Sequence, residues 1–69
     1  MIQYGKDYKH YKGDIYKPLF NATHSETEEI LVIYQNVKTL QVWARPLNMW
    51  EETIDENGTK RFTPVEEVP

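Results

Sequence analysis

Residues 30 to 34 read Ile-Leu-Val-Ile-Tyr, an unbroken apolar run between Glu29 and Gln35. Five residues are too few for a stable helix, and three of them are β-branched, so the run reads as a strand covered at least partly on both faces. Such a strand needs neighbours, and the chain supplies them at short intervals. The stretch IYKPLFNA, 15 to 22, places Tyr16 and Phe20 on one face, and Pro18 removes a ladder donor, so this strand is expected to be bent, bulged or at an edge. In LQVWARPL, 40 to 47, Leu40, Val42 and Ala44 share one face, Gln41, Trp43 and Arg45 share the other, and Pro46 ends the strand. The segment 49–65 reads as a hairpin around Asn57-Gly58, a pair suited to a type I′ turn because both central residues need positive φ. YKHYKGD, 8 to 14, ends at a Gly13-Asp14 turn signal, and NVKT is a short connector. No stretch sustains helical periodicity. The pattern predicts an all-β fold, a small SH3-like barrel or roll of about five short antiparallel strands. Residues 8–63 are expected to form one domain, with a flexible segment over 1–7 and a tail over 64–69.

A chain of 69 residues buries only a small core, and this one has no cysteine to staple it. Two Trp, five Tyr and two Phe must carry the burial instead. The net charge of −3 argues against general nucleic-acid binding, although Lys6, Lys9, Lys12 and Lys17 crowd the first quarter and Glu51, Glu52, Asp55, Glu56, Glu66 and Glu67 crowd the last third. No apolar run approaches membrane-spanning length, the start MIQYGKDYKH is not a secretory signal, and a cytoplasmic chain is expected.

Three segments together, YKHYKGDIY (8 to 16), HSETEEILVIYQN (24 to 36) and VWARPLNMWEE (42 to 52), closed by Arg61-Phe62, resemble a bacterial family of small domains of unknown function, family sixteen-fifty-three. The resemblance runs from about Tyr8 to Phe62. The family pattern usually has Phe at the position of Trp50, commonly Arg at that of Gln35, and often a Gly-containing turn at Val37-Lys38-Thr39. The resemblance implies an SH3-like β-roll. It implies no agreed activity and brings no catalytic residues.

The spacing of the chemistry-bearing groups limits what they can do. NATHSETEE, 21 to 29, holds His24, Ser25 and Glu26, the residue types of a nucleophilic cluster. Adjacent residues in extended chain point to opposite sides, and working triads are gathered from separate parts of a fold, so a turn bonded to its own backbone is the stronger reading. His10 and His24 match no compact metal spacing, and each is expected to make a structural hydrogen bond; neither metal nor cofactor is expected. Tyr8, Lys9, His10, Tyr11 and Lys12 interleave rings with cations, which suits base stacking over phosphates but also an ordinary edge with solvated lysines. Trp43 and Arg45 lie on one strand face within reach of Tyr34, a composition typical of binding hot spots. The competing reading has Trp43 plugging a barrel end and Arg45 bridging to Glu28 or Glu29. Met49 and Trp50 read as core, with one of them at a barrel mouth as the alternative. Glu51-Glu52 and Asp55-Glu56 run along one hairpin rather than across a pocket and are assigned to edge protection.

These readings favour a non-catalytic module that binds a protein or peptide through Tyr8, His10, Tyr11, His24, Tyr34, Trp43 and Arg45. The alternatives are a nucleic-acid or nucleotide binder on the Tyr/His/Lys-rich face, a small enzyme centred on His24, Ser25 and Glu26, and a domain that pairs an open strand edge in a homodimer.

Overall fold

The structure, a computed structural model, describes residues 2–65. It has five strands, β1 (Tyr8–His10), β2 (Ile15–Thr23), β3 (Ile30–Asn36), β4 (Val42–Pro46) and β5 (Phe62–Pro64), and one helical turn, α1 (Leu47–Trp50). All pairings are antiparallel, and the strands form one open sheet in the order β4-β3-β2-β1-β5. The all-β roll of short strands expected from the sequence is the fold observed.

The sheet is strongly curled. In a flat sheet β3 and β5 would lie three spacings apart, about 14 Å, and β4 and β5 about 19 Å. Yet the Tyr34 and Phe62 ring centres are 5.8 Å apart, and the Arg45 guanidinium on β4 lies 5.8 Å from the Phe62 ring on β5. Trp50 fills the space between the approaching edges. It stacks on Phe62 at 3.9 Å and meets Tyr34 and Tyr8 edge-on at 5.1 and 5.5 Å. Tyr8, Val32, Tyr34, Trp50 and Phe62 form the core, with Ile2, Tyr16 and Leu47 packed against it. Rings of this size each remove roughly 150–250 Å² from water, which is how a short chain without disulfides holds together. The edges β4 and β5 do not pair, so the roll stays open between them.

Pro18 is fully buried on β2, the middle strand, and the register shifts between Pro18 and Phe20. The bulge accommodates the missing N–H. Ahead of β1, the Gly5 N–H donates to the Pro18 carbonyl at 2.8 Å, and the Val65 N–H donates to the Asp7 carbonyl at 2.9 Å. The expected tail lies outside the described residues from Glu66 onward. Among the described residues no helix is long and apolar enough to cross a membrane.

Three local expectations are corrected. Leu47–Trp50 is a helical turn, entered through Pro46 at φ −52°, where the sequence suggested no helix. Met49 faces solvent, and only Trp50 of that pair is core. The hairpin over 49–65 contracts to one bridge, Thr53–Lys60, and β5 pairs with β1 instead. The chain does turn at Asn57-Gly58, but Gly58 alone of that pair has positive φ, so no type I′ turn forms. The Asp55 carboxylate accepts the N–H groups of Asn57 and Thr59 at 3.0 and 3.1 Å and fixes a four-residue loop instead. The Thr59 bonds, followed by the Asn57 one, hold the Asp55 carboxyl below its ordinary range.

Candidate functional site

The turn from β1 to β2 sets one side of the open mouth. Its backbone closes through His10 N–H to Asp14 at 2.8 Å and Gly13 N–H to His10 at 2.7 Å, with Gly13 at φ 114°. The Lys12 N–H donates to His10 Nδ1 at 3.2 Å. That bond makes Nδ1 the acceptor, so the neutral ring carries its proton on Nε2. The ring packs against Tyr11, Phe62 and Tyr16, with centres 4.6, 5.1 and 6.1 Å away.

Cations surround this ring cluster. Arg61 lies 5.7 Å and Lys12 Nζ 5.8 Å from the Tyr11 centroid, while Arg45 sits 5.8 Å from the Phe62 ring. Burial, then Arg61, Lys12 and Arg45 in that order, push the His10 pKa below its ordinary value of 6.5, with Asp14 the opposing charge. Among the described residues the ion pairs are Lys17–Asp7 at 3.6 Å and Arg61–Glu52 at 2.8 Å. The Arg45 bridge to Glu28 or Glu29 weighed from the sequence therefore does not form, and the guanidinium is held by packing rather than by a carboxylate.

The seven residues singled out from the sequence separate into four places. His10, Tyr11 and Arg45 meet at the mouth. Tyr8 and Tyr34 lie beneath it in the core, 4% and 6% exposed, where they support the mouth without presenting a surface. Trp43 faces Tyr34 across the β3–β4 ladder, 46% exposed and outside the ring cluster. His24 stands apart in the β2–β3 loop, where its Nδ1 accepts the N–H groups of Glu26 and Thr27 at 3.2 and 3.4 Å. That nitrogen is committed to the loop backbone and does not serve Ser25 as a base. Among the described residues no three His, Cys, Asp or Glu side chains are grouped to hold a metal. Sequence reasoning missed Arg61 and Phe62 as parts of the mouth. The one signal for them was the Arg61-Phe62 pair closing the family resemblance, because nothing local says that β5 returns to lie beside β1.

The surface also carries two hollows. A small apolar cleft of about 180 Å³ is lined by Tyr8, Trp50, Phe62, Ile2 and Pro64, with Lys60 and Glu51 beside them. A polar hollow of about 550 Å³ lies over the segment from Gln3 to Asp7 and Lys17.

No curated protein matches the chain. A protein from Bordetella bronchiseptica of the family DUF1653 has a crystal structure that is similar to this one at 36% sequence identity, with a TM-score of 0.77 over 93% of this chain and 88% of that one. The family model described as "Protein of unknown function (DUF1653)" matches residues 6–64. The chain belongs to the DUF1653 family.

Proposed function

We propose that the domain is a non-catalytic recognition module whose mouth, formed by His10, Tyr11, Arg45 and Arg61, binds an acidic segment of another protein. The observation that carries this reading is the convergence of Arg45, Arg61 and Lys12 on one aromatic cluster in a chain of net charge −3. Arg45 has no carboxylate partner among the described residues, and a guanidinium can donate two parallel N–H bonds to a carboxylate. The exposed Trp43 and Tyr11 add aromatic contact area of the kind that anchors protein partners.

The same cations favour one second reading, in which they meet phosphates while Tyr11 stacks on a base. The experiment is a titration of the labelled protein with a glutamate-rich peptide and with single-stranded oligonucleotides at two salt concentrations. Binding of the peptide, weakened at least tenfold by Arg45→Ala with the melting temperature nearly unchanged, supports the module. Oligonucleotide binding with a steep salt slope and no peptide binding replaces it with the second reading.

A further inference from the structure

The two edges of the sheet are not alike. On β4, the Asn36 N–H donates to the Gln41 carbonyl at 2.9 Å, and the register pairs Tyr34 with Trp43 and Val32 with Arg45. In an antiparallel ladder every second residue turns its backbone groups to the same neighbour. Gln41, Trp43 and Arg45 therefore bond to β3, and Val42 and Ala44 turn their N–H and C=O groups outward. Both residues are exposed. On β5, the bonds of Tyr11 N–H to Arg61 and Val65 N–H to Asp7 turn Arg61, Thr63 and Val65 toward β1, so the backbone groups of Phe62 and Pro64 face outward. Pro64 has no N–H and Phe62 is buried. One edge is blunted and the other is open.

The geometry points to β4 as the docking edge: an acidic, extended segment of a partner protein adds to it as a sixth strand, bonded to the Val42 and Ala44 backbones. This rests on the proposed reading of the mouth and specifies how the acidic segment is held. Charge complementarity selects the occupant. Alternate side chains of an added strand fall beside Trp43 and Arg45, whose guanidinium has no carboxylate partner among the described residues and favours Glu or Asp. The others fall beside Val42 and Ala44 and lengthen the row Phe20–Ile33–Ala44, whose Phe20 is 56% exposed. The matching partner alternates acidic and apolar residues.

The probe is the capped hexapeptide Glu-Val-Glu-Val-Glu-Val, with Lys-Val-Lys-Val-Lys-Val as its control, and the readout is amide hydrogen exchange of the full chain by NMR. The acidic peptide should slow exchange at Val42 and Ala44 at least tenfold while Trp43 and Arg45, already bonded to β3, change little. Ala44→Pro removes one outward donor without touching the β3–β4 ladder and should weaken peptide binding at least tenfold, whereas Ala44→Val should retain it. If Ala44→Pro fails to fold, the exchange pattern of the unaltered protein decides alone. Binding that depends on Arg45 but leaves Val42 and Ala44 unprotected overturns the edge and keeps the acidic-segment module. Binding of neither peptide overturns both, and equal protection by the lysine peptide removes the charge argument. Protection that rises with protein concentration alone replaces the peptide with a second copy of the chain.

Discussion

The loop His24–Glu29 leads into β3 and the loop Asn36–Gln41 leads out of it, and the two share one hydrogen-bond plan. In each, the first residue's N–H donates to the sixth residue's carbonyl, at 2.8 and 2.9 Å, and its carbonyl accepts the fifth residue's N–H, at 2.9 and 2.8 Å. In each, a Thr hydroxyl, of Thr27 or Thr39, accepts the N–H two residues on, at 3.2 and 3.3 Å. In each, the fifth residue is left-handed, Glu28 at φ 62° and Leu40 at φ 66°. The difference is the side chain that opens the loop. Asn36 Oδ1 accepts the Lys38 and Thr39 amides at 2.9 and 3.0 Å, and His24 Nδ1 takes the same bonds at 3.2 and 3.4 Å. The imidazole does an asparagine's work at longer range. A histidine beside a serine and glutamates is here a loop-building residue.

His10 makes the same local bond to Lys12, yet its ring is packed among Tyr11, Phe62 and Tyr16. Identical local chemistry thus serves two surroundings, and substitutions separate them. The largest effect is expected for His10→Ala, about 2 kcal/mol of stability, because a half-buried aromatic ring is lost along with the turn bond. Chemical denaturation checks this, and a loss no greater than that of His24→Ala would place the His10 ring in solvent.

Asn36→Ala should cost about 1–1.5 kcal/mol and His24→Ala about 0.5–1, in the order of their bond lengths. His24→Asn should leave stability unchanged or slightly raised, and a large loss there would show that the ring has a role the loop plan does not include.

Leu40→Gly and Glu28→Gly should each stabilise by about 0.5–1 kcal/mol, since both positions adopt the left-handed region and neither side chain is buried. Gly13→Ala works in the opposite direction. Nothing lies within 4 Å of the added methyl, so the expected loss of about 1 kcal/mol is backbone strain at φ 114° alone.

The smallest effect is a slope with pH. The native His10 binds its proton less readily than the unfolded one, so the unfolded chain holds more protons as pH falls below 6.5. Stability should decline from about pH 6.5 down toward the depressed native value, and His10→Asn should flatten that part of the profile. A bound carboxylate would oppose the cations around His10 and move its titration upward, which an NMR pH series with and without the acidic peptide reads directly.

Much of the sheet was legible because strands announce themselves locally. Ile30–Tyr34 marked β3, the alternation around Trp43 gave β4 and its faces, and Pro18 marked the bulge. The helical turn was not legible, since four residues carry no periodicity. The Asn57-Gly58 turn was legible in place but not in type, because the Asp55 carboxylate outcompeted the type I′ geometry. Of the candidate site, the sequence named His10, Tyr11 and Arg45 but could not separate them from Tyr8 and Tyr34, whose rings point into the core. Residue type is the same for a buried and a presented tyrosine, and only the neighbours differ.

By itself the sequence determined much of the local structure: that the segments of β2, β3 and β4 extend, that the chain turns at Gly13-Asp14 and Asn57-Gly58, and that aromatic rings rather than disulfides hold the core. Hydrophobic period and turn chemistry act over a few residues, so they are written there. Only the tertiary structure decided that β5 passes the 49–54 segment to pair with β1, that Trp50 closes the roll against Phe62, and that Arg45 and Arg61 from distant segments meet around His10. Those outcomes follow from sheet curl and ring packing, which sum contributions from the whole chain, and one of the two sheet edges is left open as a result.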